Sequence, residues 1–372
     1  MAKLTFFPLG NADSCLIDLA DGKKILFDFG DQKDRSDPKD KRIDLAETLR
    51  ADLDEADRDY FDMVAITHLD LDHVQGSSEF FWLEHAKKYQ GEGRIKIKEL
   101  WVPAAVICED RPDDDDARVM QAEARHRFKE GKGIRVFSEP RFLEEWCKKN
   151  GVQLSDRKHL ITNAGTVVPG FTKEANGVEF FAHCPFAHRT DSSEEFDRNN
   201  DSLVFQATFV ESGQETKLIL GSDVDHRMWT EIVNLTRRYN NEVRLEWDIF
   251  KLPHHCSYLS LGPEKGKTTT EPVKEVKWLY ETKGNDHGII VSPSKPIPSD
   301  DSDNQPPHRQ AANYHRNTTE NRVGQFVVTM EHPSVGDPQP LVITIDRFKA
   351  TILKRQKSGV AAAVAVSAPR AG

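Results

Sequence analysis

Apolar positions along the chain fall into short runs, some alternating with polar residues and some continuous, each bounded by Gly, Pro, Asp or Asn. A period of two, or a brief unbroken apolar stretch, is the pattern of a strand half or fully buried in a sheet. The runs are KLTFFPL (3–9), SCLIDLA (14–20), KKILFDFG (23–30), DMVAIT (62–67), IKELWVP (97–103), GVEFFAHC (177–184), SLVFQATFV (202–210), KLILGSD (217–223), DIFKLP (248–253), GIIVSP (288–293), QFVVTM (325–330) and LVITI (341–345). Helical periodicity is read over 77–90, 117–130, 141–150 and 226–239. Strands come first as hairpins and then alternate with helices. The pattern therefore predicts a mixed α/β fold whose sheets are covered by helices.

Segment 292–321 is rich in Pro, Ser, Asn and Asp and reads as a long loop. The end, KSGVAAAVAVSAPRAG, lacks large side chains and is expected to be a disordered tail from 356 to 372. The acidic run Asp113–Asp116, just ahead of a helical stretch, reads as a solvated helix cap, since a helix N-terminus favours negative charge. No internal repeat is found.

A net charge of −10 argues against a broad, non-specific nucleic-acid surface, which needs clustered Lys and Arg. A small site where a bound metal supplies positive charge remains compatible with it. Cys15, Cys108, Cys147, Cys184 and Cys256 are scattered without a CxxC pair, so neither a disulfide framework nor a zinc knuckle is expected. The first residues lack an apolar signal core, and no run of about 18 apolar residues exists to span a membrane. The expectation is a soluble, cytoplasmic protein.

The run DMVAIT leads directly into HLDLDH (68–73). In extended chain, His68, Asp70 and Asp72 share one face. A turn into helix near Asp72 brings His73 to the same point, and Gly76 allows close backbone approach there. Imidazole nitrogens and carboxylate oxygens suit Zn or Mn. Further ligands are expected where other apolar strands end: Asp223 after KLILGS, and His254 and His255 after KLP. Carboxyl ends of strands are where α/β sheets gather their sites, and an Asp between two cations can bridge them.

In this ordered set the chain resembles the metallo-β-lactamase fold hydrolases, and among them the ComEC-type branch of competence DNA-uptake proteins and their soluble relatives. The matching stretches are GNADSCLI (Gly10, Asp13, Ser14), ILFDFG (Asp28, Gly30), THLDLDH, NNDSLVF (Asn199, Asn200, Ser202), LILGSD (Asp223) and KLPHHCS (Lys251, His254, His255, Ser257), in that order over about residues 3–310. The resemblance implies a four-layer αββα sandwich forming one hydrolase domain over 1–355, with inserts near 105–150 and 292–321. It implies two divalent ions, Zn or Mn, with His68, Asp70, Asp72, His73, Asp223 and His254 as ligands. Asp72, His255 and His308 would be catalytic, and Asn199, Asn200, Ser202 and Lys251 would contact substrate.

Two departures stand out. Asn199 and Asn200 fall where the family has a third-motif His, with His183 and His188 upstream as possible replacements. Cys256 stands where Gly is usual. His308, in PPHRQ, is a candidate for phosphate contact or leaving-group protonation, and Arg189, Arg198 and Lys251 for anion binding. The function implied is metal-assisted hydrolysis of a phosphodiester in nucleic acid or a nucleotide. Lactone or thioester hydrolysis, a non-catalytic metal-binding module, and an effector activated by a protein partner are the other readings, and a protein partner or an oligomer is compatible with the sequence.

Overall fold

A computed structural model describes residues 1–110, 112, 114–192, 197–301 and 304–353. Asp113 and the tail expected over 356–372 lie outside the described residues.

The apolar runs become the strands of two sheets. The first opens with β1 (Ala2–Phe6), β2 (Cys15–Asp18) and β3 (Lys24–Phe27), an antiparallel meander. From β3 the pairing turns parallel through β4 (Tyr60–Ala65), β5 (Phe81–Trp82), β6 (Ile95–Pro103), β7 (Ile134–Phe137) and β8 (Ile161–Thr162). The second sheet holds β9 (Thr166–Val167), β10 (Val178–Cys184), β11 (Val204–Glu211) and β12 (Gln214–Leu220), then the parallel β13 (Trp247–Lys251), β14 (Gly284–Ser292) and β15 (Gln325–Val328). β16 (Leu341–Ile345) and β17 (Ala350–Ile352) return to the first sheet, where β16 pairs with β1. The strand orders are β17-β16-β1-β2-β3-β4-β6-β7-β8, with β5 beside β6, and β15-β14-β13-β12-β11-β10-β9.

Period-two alternation sends neighbouring side chains to different layers. Ile25 and Phe27 of β3, Leu218 and Leu220 of β12, and Ile249 of β13 meet in a core between the sheets. Leu26 faces a second core, shared with α1 (Leu45–Glu55), α5 (Asp115–Glu130) and α6 (Arg141–Lys149) among the helices covering the first sheet. Ile219 and Phe250 face a third, beneath α9 (His226–Arg238), α10 (Lys274–Thr282) and α11 (Arg309–Glu320). The expected αββα layering is present. The shorter helices are α2 (Leu71–Val74), α3 (Ser77–Phe80), α4 (Ala104–Cys108), α7 (Lys173–Asn176) and α8 (Ala187–Ser192). Among the described residues no helix is long and apolar enough to cross a membrane.

The structure corrects several expectations. Residues 77–90 do not form one helix: α3 gives way to β5 and then to a 3-10 turn over Lys87–Tyr89. Phe81 and Leu83 are buried on either side of the half-exposed Trp82, the period of a strand. The Glu123 carboxylate also takes the backbone N–H groups of Glu84 and His85, each at 3.0 Å, in place of helical bonds. The acidic run does cap α5, through Asp114, but Asp116 is not merely solvated. It accepts from the backbone N–H of Gly76 at 2.8 Å and of Ser78 at 3.1 Å. The long loop read over 292–321 contains α11, whose buried face carries Ala311, Ala312, Tyr314 and His315 in place of Leu and Val.

A candidate metal centre at the strand tips

The C-terminal tips of β3, β4, β12 and β13 converge, and backbone bonds lock their loops together. The N–H of Asp13 donates to the Asp72 carbonyl at 2.9 Å, that of Gly30 to Asp13 at 3.0 Å, and that of Phe29 to His73 at 2.9 Å. Across the sandwich, Leu203 N–H reaches the Thr67 carbonyl at 3.2 Å. Gly30 is required by this closeness, since a Cβ there would lie 2.0 Å from the Asp72 carbonyl oxygen.

Three imidazoles are fixed by the same logic. His73 Nδ1 lies 2.9 Å from Asp28 Oδ2, and a carboxylate can only accept, so Nδ1 carries the proton. His255 Nδ1 donates to the Pro293 carbonyl at 2.7 Å. Thr67 Oγ1 gives its proton to Asp28 at 2.9 Å and therefore accepts from His68 Nδ1 at 3.1 Å. His73 and His255 thus turn their Nε2 atoms toward a common point, and His68 turns its own toward Asp70. His73 Nε2 is 3.4 Å from Asp223 Oδ1, 3.7 Å from Asp13 Oδ2 and 3.9 Å from Asp72 Oδ2. His255 Nε2 lies 2.7 Å from Asp72 Oδ2. The His68 and His73 rings are 4.0 Å apart at their centroids.

Ligand-type atoms of Asp13, His73, Asp223 and His255 lie within 4.8 Å of one another, all in buried residues. His68 Nε2, His73 Nε2, Asp13 Oδ1 and Asp223 Oδ1 are buried with no hydrogen-bond partner. Orphaned lone pairs on this many buried imidazoles and carboxylates are costly without a cation, and the donor set fits one. Burial opposes charge on His73, but Asp28, Asp223 and Asp72 outweigh it and raise its pKa well above the ordinary value. His255 is likewise raised to about 9, its bond to Asp72 overcoming burial. Burial would also raise Asp72 and Asp223, yet the neighbouring imidazoles hold both low. His68 is lowered by burial and by His73.

The structure sorts the residues singled out from the sequence. His68, Asp72, His73 and Asp223 come together. Asp70 sits on the rim at the head of α2, with Oδ2 3.6 Å from His68 Nε2. The histidine pair is placed opposite to the reading of its roles. His255 is the inner ring, while His254 is 30% exposed with Nδ1 3.5 Å from Asp223 Oδ2. Lys251, read as a substrate contact, turns inward: it is buried and donates to Asp13 Oδ2 at 2.7 Å and to the Gly221 carbonyl at 2.8 Å. Ser202 is buried and spends its hydroxyl on the Asn199 carbonyl at 2.6 Å. The Asn200 side chain bridges Asp197 and the Asp225 N–H. His308 accepts from Tyr258 N–H at 3.3 Å and donates to the Asn304 carbonyl at 3.1 Å, which makes it a clasp on the HHC turn. His183 bonds the Arg244 carbonyl and His188 bonds Glu231, so neither ring is seen replacing the third-motif His.

Sequence reasoning did not assign a ligand role to Asp13. Its signal was an acidic residue two positions before the buried β2. The turn after β13 was also unforeseen in form: His254, His255 and Cys256 have φ of 47°, 51° and 65°. Consecutive left-handed residues that are not Gly are strained, and such strain collects at functional sites.

No family model matches the chain, and no curated protein matches it. Among solved structures, unliganded yeast PDE1 is similar at 11% identity, covering 88% of this chain and 98% of that chain with a TM-score of 0.42. A long form of RNase Z from yeast is similar at 12% identity and a TM-score of 0.33, covering 95% of this chain and 49% of that one. Likeness at this level leaves the chemistry to be argued from the residues.

Proposed function

We propose that this chain is a metal-dependent hydrolase of the metallo-β-lactamase type, with 1–355 as its catalytic domain and a phosphodiester of nucleic acid or a nucleotide as substrate. The observation that carries the reading is the pair His73 and His255, each fixed at Nδ1 and aimed through Nε2 into a buried group of carboxylates, with His68 beside them turning its Nε2 to Asp70. The ordered motifs and the αββα layers support it. His73, His255, Asp13, Asp72 and Asp223 would hold one Zn or Mn, and His68, Asp70 and the shared Asp223 a second, thinner set.

A divalent cation bound there supplies Lewis acidity and brings a water pKa toward neutrality. The protein's own groups do the rest. Asp72, 24% exposed, can orient the attacking water and take its proton. His254, on the rim, is placed to return a proton to the leaving oxygen. Asp28 and the Pro293 carbonyl keep two rings in the coordinating tautomer.

Metal analysis of the purified protein, paired with a screen of bis-p-nitrophenyl phosphate, single strands and duplexes against wild type and Asp72→Ala, tests the reading. One to two equivalents of Zn or Mn and turnover lost in the variant are expected. Turnover of lactones or thioesters alone would instead mark a carbonyl hydrolase. Metal without any turnover would mark a binding module, the alternative that the missing third-motif His leaves open.

A further inference from the structure

The mouth of the cluster is acidic, and an anionic substrate approaching it would meet Asp70 and Asp72. Lys251 is bonded inward to Asp13 and Gly221. Arg198 is different. Its Nη1 lies 3.3 Å from Asp70 Oδ1, on the carboxylate that sits 3.6 Å from His68 Nε2. Its Nε donates to Glu109 Oε2 at 3.0 Å. Glu109 closes α4, and its carboxylate is 8% exposed, whereas the Arg198 side chain is 36% exposed. The guanidinium is thus held at Nε and Nη1 by two carboxylates from distant parts of the chain, with no bond to its Nη2 among the described residues, and stays more than a third exposed beside the site. That differs from a loose surface pair, in which both partners move freely.

We propose that Arg198 is the group that recognises the substrate's phosphate, with Glu109 as the positioning residue that holds the guanidinium at the mouth. The inference rests on the phosphodiester reading and sharpens it. A planar fork of N–H donors matches two phosphate oxygens, whereas a lactone or thioester offers no anion to pair with it. Asp70, read as a metal ligand, is shared between Arg198 and His68, so the anion anchor and the metal side of the site are joined through one carboxylate.

The test is calorimetric titration of zinc-loaded protein with inorganic phosphate, alongside bis-p-nitrophenyl phosphate kinetics. Arg198→Ala is expected to weaken phosphate binding at least tenfold and to raise KM more than it lowers kcat. Arg198→Lys, which keeps the charge but not the fork, is expected to fall between wild type and Arg198→Ala. Phosphate affinity unchanged in both variants, in a wild type that turns over the diester, overturns the role of Arg198 alone. A wild type that neither binds phosphate nor turns over the diester overturns the phosphodiester reading and this inference together. Should Arg198→Ala fail to fold, the Arg198→Lys titration decides: affinity equal to wild type overturns the proposal.

Discussion

Asp28 accepts from three donors: Thr67 N–H at 2.7 Å, Thr67 Oγ1 at 2.9 Å and His73 Nδ1 at 2.9 Å. Asp28→Asn would put an amide N–H₂ against one of these donors and release the His73 ring. Groups that orient a metal-binding His are worth about 10–100-fold in affinity. That loss is the expected outcome, read by competition with a chromophoric zinc chelator. Gly30→Ala should be at least as severe, because its Cβ would push the Asp72 carbonyl away; thermal melts should show destabilisation and zinc titration a weakened site. At this scale the residue types were legible, since HLDLDH, Asp223 and HHC lie at strand ends. Which His of the pair faces inward was not, because it depends on a left-handed backbone run that sequence spacing does not encode. Lys251 was misread for a related reason. Its partner Asp13 is 238 positions away, and the pairing exists only once the two sheets close.

Glu123 shows why the elements around the site were harder to read. Its buried carboxylate takes two backbone N–H groups, His85 Nδ1 and Arg127 Nε, and so shapes a segment that looks helical on its own. Burial pushes this carboxyl up, but His85, Arg127 and the backbone donors prevail and hold it at about 2. The folded pKa lies below the unfolded one. The stabilisation is therefore complete above about pH 4.5 and is lost as pH falls toward 2. Removing one partner of a buried pair costs about 3–5 kcal/mol. Urea melts of Glu123→Ala at pH 7 should show a loss of that size, and the gap to wild type should narrow as pH is lowered below 4.5. Helix α1 was missed although Leu45, Leu49 and Leu53 repeat every fourth residue, and α11 because its buried face is small and polar. Strands, by contrast, announced themselves through β-branched and aromatic runs.

For the whole molecule, the run of strands then strands with helices was enough to indicate layered α/β architecture. The strand orders were not recoverable, since β16 and β17 complete a sheet begun at the N-terminus. The ligand-type residues divide between the sheets: Asp13, His68, Asp72 and His73 come from the first, and Asp223 and His255 from the second. A cation bound by both halves stabilises the closed sandwich by mass action, about 4 kcal/mol at a thousandfold excess over Kd. Scanning calorimetry should therefore show a melting temperature raised by about 5 °C or more with zinc, reversed by chelator.

That division also sets an order of events during synthesis. A chain that has emerged only as far as β12 carries half a cage, with Asp223 and His255 still to come. Ion capture therefore waits until β13 and the HHC turn that follows it have joined the second sheet, and a chain that retains its ion has brought the strand tips of both sheets together.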